Sequence, residues 1–136
     1  MQVRAIDHIV VTVSDIPAAC RFYTQVLGME EITSPAGRKA LRFGDQKINL
    51  HLKGHEFEPK ADRPTVGAAD ICLLVATPFD EVIAELESHG VRVELGPVER
   101  TGAVGALTSV YVRDPDGNLI ELSECVGPRL VTSAGD

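Results

Sequence analysis

The segment Ile6-Asp7-His8-Ile9-Val10-Val11-Thr12-Val13 decides the fold, because the chain repeats it as Ala68-Ala69-Asp70-Ile71-Cys72-Leu73-Leu74-Val75. Each copy has the composition of a β-strand, and each is followed by a predicted helix that ends at a glycine, Gly28 or Gly90. Internal repetition of this kind indicates one supersecondary unit that is used twice. Matching strand positions hold His8 and Asp70. Pseudo-twofold packing of the copies would therefore bring two polar side chains toward one site.

Length and composition are those of one globular domain, residues 1–136, with 44% hydrophobic and 24% charged residues. The formal net charge of −7 argues against nucleic acid or an anionic membrane surface as a partner. No apolar stretch approaches the roughly 20 residues of a membrane span, and the N-terminus lacks the layout of a signal peptide. Three cysteines, an odd number without close spacing, favour reduced thiols in a cytoplasmic protein.

Hydrophobic periodicity and turn residues predict the element order βαβββ twice. The first module, residues 4–53, has a strand over 4–13, a helix over 16–27 and strands over 29–33, 39–44 and 47–53. A polar linker with two prolines covers 54–66. The second module, residues 67–125, has a strand over 68–76, a helix over 78–89 with Thr77 as N-cap, and strands over 91–95, 108–113 and 118–123. We expect a loose stretch over 96–105 and a poorly ordered tail over 126–136.

The predicted fold is α+β: two βαβββ modules form a curved mixed sheet around a concave pocket, with the helices outside. Successive strand side chains point to opposite faces, so Ile48, Leu50, Ile120 and Leu122 should lie in the core. The concave face then collects His8, Val10, Thr12, Asn49, His51, Asp70, Cys72, Leu74, Glu121 and Ser123. Imidazoles and carboxylates on one surface suit a divalent metal ion, and a carboxylate there can act as a base toward a substrate polarised by that ion.

Three segments also carry a resemblance to a known family: Asp7-His8-Ile9-Val10-Val11, Phe22-Tyr23 through Leu27-Gly28-Met29, and Asp114-Pro115-Asp116-Gly117-Asn118-Leu119-Ile120-Glu121. Together they resemble the vicinal oxygen chelate superfamily, which includes glyoxalase I, extradiol dioxygenases, methylmalonyl-CoA epimerase and bleomycin resistance proteins. The resemblance covers about residues 4–123. More narrowly, the segments 43–51, 56–60 and 96–103 resemble the subgroup of glyoxalase domain-containing protein 5.

The resemblance implies metal ligands on the first and last strands of each module. His8 matches the first-strand ligand and Glu121 the last-strand glutamate. Asp70 stands where glyoxalase I and the dioxygenases have a second histidine, and Asn49 where relatives often have Glu or Gln. Two ligand sets stay open. His8, His51 and Glu121 would form a two-histidine, one-carboxylate site for Fe, Mn, Zn, Ni or Co. His8, Asp70 and Glu121 would form an oxygen-rich site for manganese or magnesium.

The implied function is that of a metal-dependent lyase, isomerase or dioxygenase that acts on a small oxygenated substrate, with Glu121 or Asp70 as the base. Asn49, His51 and Arg100 are candidate substrate contacts, Arg100 as a bidentate partner of an anionic substrate. The alternative is a non-catalytic protein that sequesters a small molecule without metal, as bleomycin resistance proteins do. A third possibility is a domain that has lost the site. Related two-module chains pair, so we expect a homodimer, with each site built from one chain or from two.

Overall fold

The computed structural model describes residues 1–128 and divides into two compact units. The first unit comprises Met1–Ala69 with Pro115–Gly117, and the second comprises Asp70–Asp114 with the chain from Asn118. Each unit has the element order βαβββ and a four-stranded mixed sheet, so the predicted α+β class with two modules is confirmed. In the described residues, no helix is long and apolar enough to cross a membrane.

The first unit contains β1 (His8–Val13), α1 (Ile16–Arg21), a π-helical segment (Phe22–Val26), β2 (Glu30–Thr33), β3 (Lys39–Phe43) and β4 (Gln46–Leu52). Its strand order is β1-β4-β3-β2, with β1 parallel to β4 and the other pairs antiparallel. The strand predicted over 4–13 starts only at His8. Its ladder begins at the pair of His8 with Lys47, and just before it the Asp7 carbonyl accepts a single backbone hydrogen bond from the Lys47 amide, at 3.2 Å.

Local sequence explains where the first helix begins and ends. The Asp15 side chain accepts a hydrogen bond from the Ala18 amide at 2.9 Å, and a proline follows in the first turn. Gly28 follows the π-helical segment with φ of +70°, a left-handed conformation that glycine adopts without steric cost. The predicted helix over 16–27 is confirmed over residues 16–26, and its residues Cys20 and Tyr23 are buried.

The second unit contains β5 (Asp70–Leu74), α2 (Phe79–Ser88), β6 (Leu95–Thr101), β7 (Gly105–Arg113) and β8 (Leu119–Pro128). Its strand order is β5-β8-β7-β6, with β5 parallel to β8. This arrangement repeats that of the first unit, strand for strand.

Several boundaries predicted in the second unit were wrong. The strand predicted over 91–95 is replaced by β6, which occupies most of the predicted loose stretch. Pro97 lacks an amide hydrogen, but β6 is an edge strand whose register shifts between Leu95 and Val98, and such a bulge tolerates proline. Pro78, without a side-chain hydrogen bond, takes the N-cap position predicted for Thr77. Of the predicted tail over 126–136, the first three residues belong to β8 and the rest lies outside the described residues.

The parallel registers place equivalent residues on the same face in both units. Ile9 pairs with Ile48 in the first unit, and Ile71 pairs with Ile120 in the second. The four predicted core residues of β4 and β8 are each at most 2% exposed, so their placement is confirmed. We call the other face of each sheet its open face. It carries His8, Val10, Thr12, Lys47, Asn49 and His51 in the first unit, and Asp70, Cys72, Leu74, Leu119, Glu121 and Ser123 in the second.

Candidate functional site

In the second unit, two hydroxyl groups hold the carboxylate of Glu121 on the open face. Ser109 Oγ donates a hydrogen bond to Glu121 Oε2 at 2.6 Å, and Ser123 Oγ donates to the same oxygen at 3.3 Å. The two hydroxyl oxygens lie 2.6 Å apart, and both serines are fully buried. Because Ser109 and Ser123 are register partners on β7 and β8, the sheet itself fixes this cluster. Buried donors of this kind orient a carboxylate for binding.

Asp70 and Cys72 lie beside Glu121, on β5. Cys72 is the register partner of Glu121, and its Sγ lies 3.3 Å from Ser123 Oγ. Burial of the thiol raises the pKa of Cys72, and the negative charges of Glu121 and Asp70 add to the rise, against the lowering effect of the Ser123 hydrogen bond. The thiol is therefore protonated at neutral pH and a poor nucleophile. Asp70 is exposed, and its carboxylate accepts no hydrogen bond from the described residues.

A cavity of about 430 Å³ opens on the same face of the second unit. Its lining includes Cys72, Glu121 and the segment 100–105 that leads from β6 into β7. Arg100 donates from Nε to the Tyr111 hydroxyl at 2.8 Å and from Nη1 to the Glu99 carbonyl at 3.0 Å. The structure therefore brings two predicted site residues, Glu121 and Arg100, to one cavity, with Arg100 held in place by Tyr111.

Tyr111 joins the Arg100 side chain to the region around Glu121. Burial raises the pKa of Tyr111, the hydrogen bond from Arg100 lowers it, and the charge of Glu121 raises it again. Tyr111 is also the register partner of Glu121 across β7 and β8. The phenol is therefore neutral at physiological pH and remains a hydrogen-bonding group beside the carboxylate.

In the first unit, His8 lies at the start of β1 with its side chain 45% exposed. Its Nδ1 atom is 2.8 Å from Oδ1 of Asp7. With the proton on Nδ1, the Asp7 carboxylate accepts the hydrogen bond and Nε2 keeps its lone pair. That tautomer suits a metal ligand, since a ligating imidazole commonly donates a hydrogen bond from the N–H of its other ring nitrogen to a carboxylate.

Asn49 and His51, the predicted substrate contacts of the first unit, both line a cavity of about 430 Å³, together with Arg38 and Lys47. The His51 ring packs edge-to-face against Phe57, with 5.4 Å between the ring centroids. On the same phenyl ring, the Arg38 guanidinium carbon lies 3.7 Å from the centroid. His51 also lines a second cavity of about 450 Å³, formed with the segment 59–65.

The donor types suit a divalent metal ion, although neither unit supplies a full ligand set by itself. Within each unit, and for residues 1–128 only, no three His, Cys, Asp or Glu side chains are grouped so as to hold a metal ion. His8 and Glu121 belong to different units, and each has an orienting partner, Asp7 or Ser109. An imidazole and a carboxylate oriented in this way fit a first-row transition metal.

Sequence reasoning missed Ser109, Tyr111, Lys47 and Arg38. The signal for the first three was present: Ser109 and Tyr111 alternate with fully buried valines on β7, and Lys47 precedes Asn49 by two residues on β4. Strand alternation therefore places them on the open faces. Arg38 precedes β3, and its contact with Phe57 joins two loops, which a pattern in one sequence does not predict.

The sequence matches the family model described as the Glyoxalase/Bleomycin resistance protein/Dioxygenase superfamily over residues 5–122. The virulence protein STM3117 of Salmonella typhimurium is 55% identical over 126 residues, which cover 93% of this chain and 88% of that protein. Its crystal structure has a TM-score of 0.91 to this chain and covers 93% of this chain and 100% of the crystallised one. The family resemblance seen in the sequence is thereby confirmed, while the narrower subgroup stays a prediction.

Two further relatives carry names that refer to a glyoxalase domain or to a lyase. The glyoxalase domain-containing protein RDO1 of Mycosarcoma maydis is 52% identical over 123 residues, covering 90% of this chain and 69% of that protein. The crystal structure of lactoylglutathione lyase from Agrobacterium tumefaciens is 26% identical, with a TM-score of 0.67 and coverage of 88% of this chain and 92% of the lyase chain. The first two relatives match most of this chain at more than half identity, and the lyase shares its fold.

Proposed function

We propose that this chain, which belongs to the glyoxalase/bleomycin resistance protein/dioxygenase superfamily, is a metal-dependent lyase, isomerase or dioxygenase that acts on a small oxygenated substrate. The observation that carries the proposal is the Glu121 carboxylate, which two buried serine hydroxyls orient beside a cavity large enough for a small molecule. A glutamate whose only role was to present a charged group to water would not need buried hydrogen-bond donors. The named lyase among the relatives supports the same class of chemistry.

We assign the metal-ligating roles to His8 and Glu121, with His51 as the candidate second imidazole. Asp7 would keep the Nε2 atom of His8 available, and Ser109 would hold the Glu121 carboxylate in one orientation. When bound, a divalent ion polarises the substrate oxygens and stabilises the negative charge that develops on them.

The two carboxylates of the second unit differ in a way that suggests separate roles. Glu121 is half-buried and accepts two hydrogen bonds, whereas Asp70 is exposed and its carboxylate accepts none from the described residues. A base needs an oxygen that is free to accept a proton from the substrate. We therefore assign the base to Asp70 and ligation to Glu121, and we keep Asp70 as a ligand for the oxygen-rich alternative.

Metal analysis of the purified protein, with two matched pairs of variants, tests the assignment. His8→Ala and Glu121→Gln remove the proposed ligands. His89→Ala and Glu124→Gln change the same residue types at the end of α2 and on the other face of β8. We expect a first-row metal in the wild-type protein, metal affinity lowered by about tenfold or more in the ligand variants, and no change in the controls.

Substrate assays then separate the reaction classes. Loss of the methylglyoxal–glutathione adduct would identify a lyase, and oxygen uptake with catechols a dioxygenase. In the lyase case, Asp70→Asn should abolish turnover while metal content is retained. If the wild-type protein binds no first-row metal and the ligand variants behave like the controls, the non-catalytic binding protein replaces the enzyme.

We also propose that the protein is a homodimer in the cytoplasm. If each site takes ligands from two chains, mixing the His8→Ala and Glu121→Gln proteins should restore metal binding at one of the two sites of every mixed dimer, because that site takes its histidine and its glutamate from the unmutated positions. If each site belongs to one chain, mixing restores nothing. A monomeric mass by light scattering at micromolar concentration would contradict the dimer.

A further inference from the structure

We propose that the first-unit cavity formed by β3, β4 and the loop before β3, and lined by Arg38, Lys47, Asn49 and His51, binds the negatively charged group of an anionic small molecule, a carboxylate or a phosphate. This inference deepens the proposed function, on which it rests for the identification of that molecule as the substrate. It assigns a charge to the substrate, which the proposed chemistry alone does not.

The four cationic side chains on β3, on β4 and at the residue before β3 fall into two groups. Lys39 and Arg42 are each paired with a glutamate of β2, so their charges are compensated within the sheet. Lys47 and Arg38 form no ion pair with any carboxylate among the described residues. Although the chain has a formal net charge of −7, these two cations place uncompensated positive charge beside one cavity. Such a cavity attracts an anion.

Arg38 is held in place without losing its charge. Its guanidinium group stacks on the Phe57 ring at 3.7 Å, and the His51 ring packs edge-to-face against the same ring. A cation–π contact fixes the side chain, yet it leaves the full positive charge and the N–H donors available, unlike a salt bridge. The Arg38 side chain is therefore already ordered in the free protein, so less conformational entropy is lost when a ligand binds.

Lys47 and Asn49 present donors from the same strand and the same face. They are two residues apart on β4, both are half-buried, and the amide of Asn49 makes no hydrogen bond with the described side chains. Partial burial strengthens the attraction between the Lys47 ammonium and an anion, because fewer water molecules screen it. Ammonium, amide and guanidinium groups together are donors suited to carboxylate or phosphate oxygens.

The test is a titration of the metal-stripped protein, followed through backbone amide chemical shifts, with two matched pairs of probes. Lactate is compared with the neutral propane-1,2-diol, and glycerol 3-phosphate with glycerol. We expect each anion to shift the amides of residues 34–40 and 47–51, with an affinity that falls as NaCl is added. The uncharged partners should leave those amides unchanged. The anion that binds with the higher affinity identifies whether the cavity prefers a carboxylate or a phosphate.

Lys47→Met and Lys53→Met form the matched pair of variants. Each removes one lysine in or next to β4, and of these two lysines only Lys47 lines the cavity. We expect Lys47→Met to weaken anion binding about fivefold or more and Lys53→Met less than about twofold. Arg38→Met should also weaken it. Equal effects of the two lysine variants, equal shifts by the neutral probes, or no anion-dependent shift would overturn the proposal. If the protein binds these anions but takes up no metal, the proposed metal-dependent enzyme is wrong and the proposed anion site is still supported.

Discussion

In the first unit β1 runs parallel to β4, and in the second β5 runs parallel to β8, with registers that make Asn49 and Glu121 equivalent residues. Asn49 faces a cavity beside two uncompensated cations. Glu121 faces a cavity in which serine hydroxyls hold it, with a second carboxylate on the neighbouring strand. The same backbone position therefore holds a neutral amide beside two cations in one unit and a carboxylate near a second carboxylate and Arg100 in the other.

The core faces have not diverged in this way. Ile48 and Ile120 occupy equivalent positions and are 1% and 0% exposed. Close packing limits which side chains such positions accept, whereas the open faces are free to change charge. The comparison suggests that stability resides in what the units share and function in what they do not. Three predictions examine this division.

The largest effect should come from the shared core. Ile48→Ala and Ile120→Ala each remove several buried methyl and methylene groups, and each should lower the free energy of unfolding by about 2–5 kcal/mol. Urea denaturation followed by circular dichroism measures both. If the two units contribute equally, the two losses should agree within about 1 kcal/mol and leave the denaturant slope unchanged.

Ile6→Ala is the control, because Ile6 is 60% exposed and precedes β1. Its effect should stay within about 0.5 kcal/mol. A loss at Ile120 at least twice that at Ile48 would break the comparison, since it would show that one sheet carries most of the stability.

A smaller effect should come from a cluster that only the second unit has. Ser109→Ala removes the shorter hydrogen bond to Glu121 and the hydroxyl partner of Ser123, and should cost about 1–3 kcal/mol because Ser123 is fully buried and Glu121 is half-buried. Neither β3 nor β4 contains a serine or threonine, so the first unit has no counterpart. Thr108→Ala, at the neighbouring residue on the other face of β7, is the matched control. Equal losses in the two variants would show that the hydroxyl cluster contributes nothing specific.

The division between core and open face also explains what could be predicted from sequence. Alternation placed Ile48, Ile120 and Glu121 correctly because strand period alone decides them. It did not predict β6, because the glycine and proline of that segment are typical of a loop. A strand forms there only because β6 lies at the sheet edge and contains a bulge. The Arg38–Phe57 contact joins two loops and depends on tertiary structure. The face on which a strand residue lies was therefore predictable, whereas a contact between two loops was not.

The smallest effect should come from ion pairs, which both units place between adjacent strands or near them. Arg113 donates from Nε and Nη2 to the two carboxylate oxygens of Glu94, at 3.0 Å each, whereas Lys39 donates one hydrogen bond to Glu31 at 2.8 Å. These hydrogen bonds are the main cause that lowers the pKa of each glutamate. A lowered pKa in the folded state means that the pair stabilises the fold above the unfolded pKa of about 4.3, and that the stabilisation is lost as the pH falls through the folded pKa.

Glu94→Gln and Glu31→Gln should therefore lower the melting temperature near pH 7 and not near pH 2, where the wild-type glutamates are protonated as well. Because both pairs are substantially exposed, water screens them, and we expect shifts below about 3 °C in low salt. The bidentate geometry of the guanidinium predicts the larger shift for Glu94→Gln. Calorimetric scans of both variants and the wild type across this pH range decide the matter. A difference from wild type that persists undiminished at the acid end would mean that the glutamates stabilise their sheets by packing rather than by charge, which would remove the electrostatic part of the comparison between the units.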